Sequence, residues 1–231
     1  KKYMLSFLTQ TYSKRSSMLM IFVSASVWGI LWIPIRIIEG LGLNGLWSNF
    51  FFLALPILPL AYLFLRAIWK DKSNWLGYFI IGSCIGMGFA CYLAGLTLGS
   101  VTKTTVLYYL TPAWATLFGI FLLGEQQTFG RWASILCGLL GCVLVIELDV
   151  KSLRFDYYDI FGFASGLIWS MGSVFVRKFN KIDIASVMLP IYFFGAFITL
   201  IFIYFFKFEA PETLVILKTA LPIFLVSILI F

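Results

Sequence analysis

Eight stretches of nearly unbroken apolar residues follow one another along the chain, at about 18–38, 46–65, 75–98, 104–124, 132–148, 158–177, 184–206 and 214–231. Most approach the ~20 residues an α-helix needs to cross ~30 Å of hydrocarbon. Continuous apolarity is the signature of helices, whereas a membrane barrel alternates polar and apolar positions. The connectors at 40–45 and 99–103 leave no room for a soluble domain. The chain reads as an all-α polytopic transmembrane helix bundle. With 61% of residues hydrophobic and 12% charged, against roughly 25% charged in a soluble domain, it could not cover a water-facing surface.

The same composition narrows the chemistry. The sequence holds no His, which removes the commonest metal ligand and the usual acid–base catalyst near neutral pH. Its cysteines, Cys84, Cys91, Cys137 and Cys142, fall inside apolar runs without the paired short spacing of a zinc site, so they read as packing residues. No metal and no cofactor is expected. An intramembrane enzyme is the weakest reading, since no nucleophile stands with a base and no acid pair shares a helix.

A net charge of +7 would suit nucleic acid in a soluble protein. Here no polar basic domain exists to hold it, and excess Lys and Arg act as a topology signal. With the N-terminus inside, one set of segments carries 11 of the 17 basic residues and a net +8, and the other side a net −1. The positive-inside rule then makes the N-terminus cytoplasmic, in a multi-pass protein of the cell (inner) membrane. Residues 1–17, with Lys1, Lys2, Lys14 and Arg15 among Met4, Leu5, Leu8 and Tyr12, suggest a short helix lying on the membrane surface.

An internal repeat is visible. The first segment carries Ser24, Trp28, Trp32 and Arg36, spaced by four and so on one face of a continuous helix. The sixth carries Ser165, Trp169, Ser173 and Arg177, each 141 residues later. An odd number of crossings separates the copies, which makes them inverted repeats of five helices, a layout suited to alternating access. The first repeat spans 18–148 and the second starts at 158. Adding the offset of 141 to Glu147 places the expected end of the second copy near 288, and Phe231 corresponds to Ala90. Ten helices are therefore expected in all, about eight of them present, with 158–231 an incomplete second copy.

Several residues could line a substrate path. Trp28 and Trp32 sit in the body of the first segment, and Trp169 in the sixth, away from the interfacial belts where Trp collects. A buried indole N–H wants an acceptor, which a wet cavity provides, though core packing is the alternative. The fourth segment is the most polar. Thr104, Tyr108, Thr111 and Ala115 share one face, with Thr105, Tyr109, Pro112 and Thr116 beside them. Pro112 removes a backbone donor and frees the carbonyl near Tyr108, creating a weak point. Tyr92 in the third segment and Ser173 in the sixth complete the candidate lining.

The charged residues read less sharply. Arg36 either anchors at the outer interface or binds a substrate carboxylate, and Lys103 shares that ambiguity. Arg177 heads a basic cluster explained by topology. Glu125, beside Gly124, reads as an interfacial residue in a tight turn rather than a proton relay. Gly82, Gly86, Ala90, Ala94, Gly95 and Gly99 in the third segment, and Gly162 and Gly166 in the sixth, read as packing seams.

The stretch from Cys91 to Ile146 carries a further signal: Pro112 inside the fourth segment, Gly124-Glu125 after it, then a fifth segment rich in small residues. Together with Trp28-Gly29 in the first segment, it resembles the drug/metabolite transporter superfamily, in particular its EamA-type members. The resemblance implies ten helices, both termini in the cytoplasm, and export or uptake of metabolites.

The resulting expectation is a secondary transporter of small metabolites working by alternating access. Its partners are a small-molecule substrate, the lipid bilayer and an ion gradient, of protons or another ion, with uniport also open. Export of amino acids or similar amphipathic compounds comes first. Uptake or exchange of a nucleotide-like metabolite such as S-adenosylmethionine comes next, and a lipid flippase is the reading from another class.

Overall fold

The computed structural model describes residues 13–30, 32–43, 45–70, 74–126, 128–147, 156–179, 182 and 184–229. In chain order its helices are α1 (Lys14–Gly29), α2 (Trp32–Gly40), α3 (Gly45–Ala54), α4 (Ile57–Lys70), α5 (Trp75–Leu98), α6 (Val101–Tyr108), α7 (Thr111–Leu123), α8 (Phe129–Glu147), α9 (Asp159–Lys178), α10 (Ile184–Phe205) and α11 (Thr213–Leu229). No strand occurs among the described residues. Residues 1–12 of the expected surface helix lie outside the described set, and Lys14–Ser17 open α1 instead.

The eight apolar segments are all present, but three are broken. Segment 1 is α1 plus α2, segment 2 is α3 plus α4, and segment 4 is α6 plus α7; the others are single helices. A proline accompanies each break. Pro34 has no N–H to offer Ile30, whose carbonyl instead accepts from Ile33 N at 3.0 Å. Pro56 sits in the turn between α3 and α4. Pro112 occupies the first turn of α7, where a missing N–H costs nothing. Five stretches are long and apolar enough to cross a membrane: Gly45–Tyr62, Trp75–Leu98, Val101–Leu123, Asp159–Lys178 and Val187–Phe205. The protein is a polytopic all-α membrane bundle.

α5 is the central post. It packs chiefly between α9 and α10, while α9 also runs along α6 and α7, and α10 along α3 and α4. Glycines make these approaches close. A Cβ on Gly88 would sit 2.9 Å from the backbone nitrogen of Trp169, and one on Gly86 2.9 Å from that of Gly195. One on Gly162 would meet the Thr104 Cα at 2.8 Å. In lipid there is no hydrophobic drive between helices, so such close backbone contact supplies the cohesion. Cys84 and Cys91 are buried in this core, but Cys137 is exposed on α8, unlike the packing residue expected; the Cys142 side chain lies outside the described set.

The polar contacts fix directions. Arg36, near the end of segment 1, donates to the carbonyl of Leu96 at 3.0 Å, so segments 1 and 3 end on the same side. Lys103 and Asp159 meet there at 3.5 Å, so segments 4 and 6 both begin on that side. Segment 6 thus crosses in the direction opposite to segment 1.

Candidate functional site

Five rings from four segments meet in the middle of the bundle. Trp28 lies 5.1 Å from Phe89, 6.2 Å from Tyr92 and 5.4 Å from Trp169, measured between ring centroids. Tyr108 lies 4.9 Å from Tyr92 and 6.1 Å from Trp169, and Phe89 closes the set at 6.1 Å from Trp169. The interplanar angles run from 35° to 87°, the tilted and edge-on contacts that aromatic quadrupoles favour. Trp169 stands midway along the 20-residue α9, about 15 Å from either end at the helical rise per residue. The cluster therefore sits at mid-membrane depth.

Two of these rings sit where helices stop. Trp28 is the last residue but one of α1, and Tyr108 is the last of α6. At the second break the carbonyl of Tyr108, which Pro112 cannot engage, accepts a short hydrogen bond from the Thr111 hydroxyl. Gly166 lets α9 lie directly over this spot, since a Cβ there would come within 3.0 Å of the Tyr108 carbonyl and 3.3 Å of Thr111 Oγ1. The weak point expected at Pro112 is a two-residue irregularity placed just before it, at Tyr109 and Leu110, where the backbone stays right-handed and α6 and α7 together form one span.

Of the residues singled out from the sequence, Trp28, Tyr92, Tyr108 and Trp169 come together. Thr105 lies three residues before Tyr108 on α6, and Thr111 braces the break. Ser173 turns its hydroxyl to the Trp169 carbonyl at 3.1 Å. Trp32 does not share the face of Trp28, because the helix ends between them. It is 42% exposed and lines a separate groove of about 520 Å3 with Thr105 and Tyr109. The side chain of Ser24 lies outside the described set. Arg36 is held by Glu39 at 2.8 Å, and Lys103 by Asp159 at 3.5 Å.

Two functional-looking groups were missed. Phe89 is fully buried against both tryptophans; its signal was the three-residue spacing from Tyr92 on one helix. Asp159, only 3% exposed, was hidden by its place at the mouth of an apolar run. It pairs with Lys103 and accepts from the Asp156 N–H at 2.9 Å. At the opposite end Glu125 receives Arg177 at 3.3 Å and Arg131 at 3.4 Å. The tight turn expected there is present: Gly124 is left-handed, with φ 65°, and caps α7. Segments 4 and 6 are thus clipped together by ion pairs at both ends, with the aromatic cluster between. Among the described residues no group of three His, Cys, Asp or Glu side chains is placed to hold a metal.

The chain is 26% identical over 191 residues to the "Uncharacterized transporter YoaV" of Bacillus subtilis (strain 168), covering 78% of this chain and 64% of that protein. It is 23% identical over 151 residues to the "S-adenosylmethionine uptake transporter" of Rickettsia prowazekii (strain Madrid E), covering 65% and 49% respectively. The protein of that name in Rickettsia conorii (strain ATCC VR-613 / Malish 7) is 24% identical over 153 residues, or 66% of this chain and 50% of that one. The chain thus spans between about half and two thirds of the length of these relatives. No solved structure matches. The model of the EamA-like transporter family matches residues 15–147, more than half of the sequence and all of segments 1 to 5, and the chain belongs to that family.

Proposed function

We propose that this chain forms the substrate-handling core of a secondary carrier for small amphipathic metabolites, with the ring cluster as the recognition surface. The observation that carries the reading is the coincidence of five aromatic rings with two helix breaks at mid-membrane depth. Transporters of several folds place their sites at the midplane where helices are interrupted. Aromatic faces bind a flat or apolar body and attract a cation. The opposed directions of segments 1 and 6 support reading 18–148 and 158–231 as inverted repeats that rock about this site. The basic excess supports a cytoplasmic N-terminus in the cell membrane.

Amino acids with large apolar side chains are the first substrates to test. A second reading has its own support. The rings offer no basic group to a carboxylate, since Arg36 and Lys103 are already paired, whereas a cationic centre beside a flat base suits an aromatic cage. S-adenosylmethionine has that chemistry, and it is named for the Rickettsia relatives. Coupling to a proton or another ion gradient belongs to the same proposal.

The test is uptake of a labelled amino-acid panel and of labelled S-adenosylmethionine into proteoliposomes holding the full protein. Saturable flux of one class, reduced at least tenfold in Trp28→Ala and Tyr108→Ala at unchanged protein folding, is the expected result. Flux that neither substitution alters would move the site elsewhere. Absence of flux for both classes, with scrambling of phospholipid instead, would replace the carrier by a flippase.

A further inference from the structure

A second groove lies between α7 and α8, on a face that the ring cluster does not use. It encloses about 390 Å3 and is graded along its length. Thr116 and Arg131 stand at one end, close to the loop that joins the two helices, and Arg131 Nε donates to Thr116 Oγ1 at 3.1 Å. From there the walls become apolar, through Pro112, Ala113, Ile135 and Leu139, as they approach the helix break at Tyr109. Positions 131 and 139 are separated by about 12 Å along the helix axis. The charged end therefore lies at the membrane surface and the apolar end at mid-bilayer.

The charged end also carries an imbalance. Among the described residues Arg131 and Arg177 share one acid, Glu125, at 3.4 and 3.3 Å, two cations to one carboxylate. Arg131 is partly exposed, and among the described residues its contacts to Thr116 and Glu125 engage two of the five N–H donors a guanidinium carries. A guanidinium with donors to spare, beside a hydroxyl and above an apolar trough, matches a phosphodiester with an acyl chain attached.

We propose that this groove binds one anionic phospholipid from the leaflet at the Arg131 end, its phosphate on Arg131 and one acyl chain along Pro112, Ala113, Ile135 and Leu139. Because Arg131 holds Glu125, and Glu125 holds Arg177, the bound headgroup adds to the clip between segments 4 and 6. This site is separate from the transported substrate.

The experiment is native mass spectrometry of the full protein released from equimolar phosphatidylglycerol and phosphatidylcholine. Two variants accompany it. Arg131→Gln removes the charge. Gly138→Phe fills the groove without touching the ion pairs, since the space around Gly138 is open. The wild type should retain phosphatidylglycerol about fivefold better than phosphatidylcholine, the contribution of one basic side chain near an anionic lipid surface. Arg131→Gln should erase that preference, and Gly138→Phe should lower retention of the bound lipid at unchanged melting temperature. Equal retention of the two lipids by the wild type, or no effect of Gly138→Phe, would reduce the groove to ordinary annular lipid and overturn the proposal. Displacement of the lipid by millimolar inorganic phosphate would also overturn it, in favour of a simple anion site. Substrate flux, measured separately, reports on the ring cluster and not on this groove.

Discussion

At the scale of single residues, the two clips on segments 4 and 6 differ in what surrounds them. Lys103 and Asp159 side chains are 19% and 4% exposed, while Arg131, Arg177 and Glu125 are 37%, 41% and 27% exposed. Removing one partner of a buried pair leaves the other charge without compensation, at a cost of about 3–5 kcal/mol. A partly solvated pair gives up about 1 kcal/mol or less. Asp159→Asn should therefore lower the melting temperature in detergent clearly more than Glu125→Gln. Asp159→Asn also weakens the hold on the Asp156 N–H at the start of α9. Equal losses would mean that water reaches Asp159 in the folded protein. The residue-level reading of the sequence reached Glu125 and Lys103 but not Asp159. Pairing across 56 positions has no periodicity to reveal it, and a lone acid next to an apolar run reads as a helix boundary.

At the scale of elements, hydropathy was sufficient for the eight segments and insufficient for their interruptions. A window of apolar residues looks the same whether the helix runs through it or stops, because the averaging that finds the span also erases a two-residue break. Proline was the available signal, but it is ambiguous. Pro190 and Pro222 stay inside α10 and α11, whereas Pro34, Pro56 and Pro112 stand at breaks. At segment 4 the break is stabilised by tertiary contact: Thr111 satisfies the freed carbonyl of Tyr108, and Gly166 admits α9 against it. The four-residue ladder from Trp28 to Arg36 failed for the same reason. Its spacing presumes one continuous helix, whereas α1 ends at Gly29 and α2 begins at Trp32. Gly166 and Gly138 offer a matched test. Alanine at 166 meets the carbonyls of Tyr108 and Leu107 at 3.0 and 3.2 Å, an overpacking that costs about 1–3 kcal/mol. Alanine at 138 meets nothing within 4 Å and should be neutral or stabilise by about 0.5–1 kcal/mol through backbone entropy. Thermal unfolding of the two variants in one detergent measures the difference. Equal behaviour would mean that the seam between segments 4 and 6 is loose.

For the whole molecule, the ion pairs and the charge count bear on one question, the orientation in the membrane. The structure places Arg36, Lys103 and Asp159 at one end and Glu125, Arg131 and Arg177 at the other, while the sequence concentrates Lys and Arg on the segments ending with Arg177. Orientation follows where those cations stay, since carrying them across is opposed during insertion. Thr102 and Lys178 are both exposed and lie near opposite ends of the bundle, so each reports one side. In a background with all four cysteines replaced, Thr102→Cys should react with an impermeant maleimide on intact cells. Lys178→Cys should react only after permeabilisation. The reverse pattern would invert the protein, put the Arg131 end outside, and assign its lipid groove to the outer leaflet. Reaction of both sites in intact cells would point to two orientations in the same membrane, an outcome at odds with a basic bias as strong as +8 against −1.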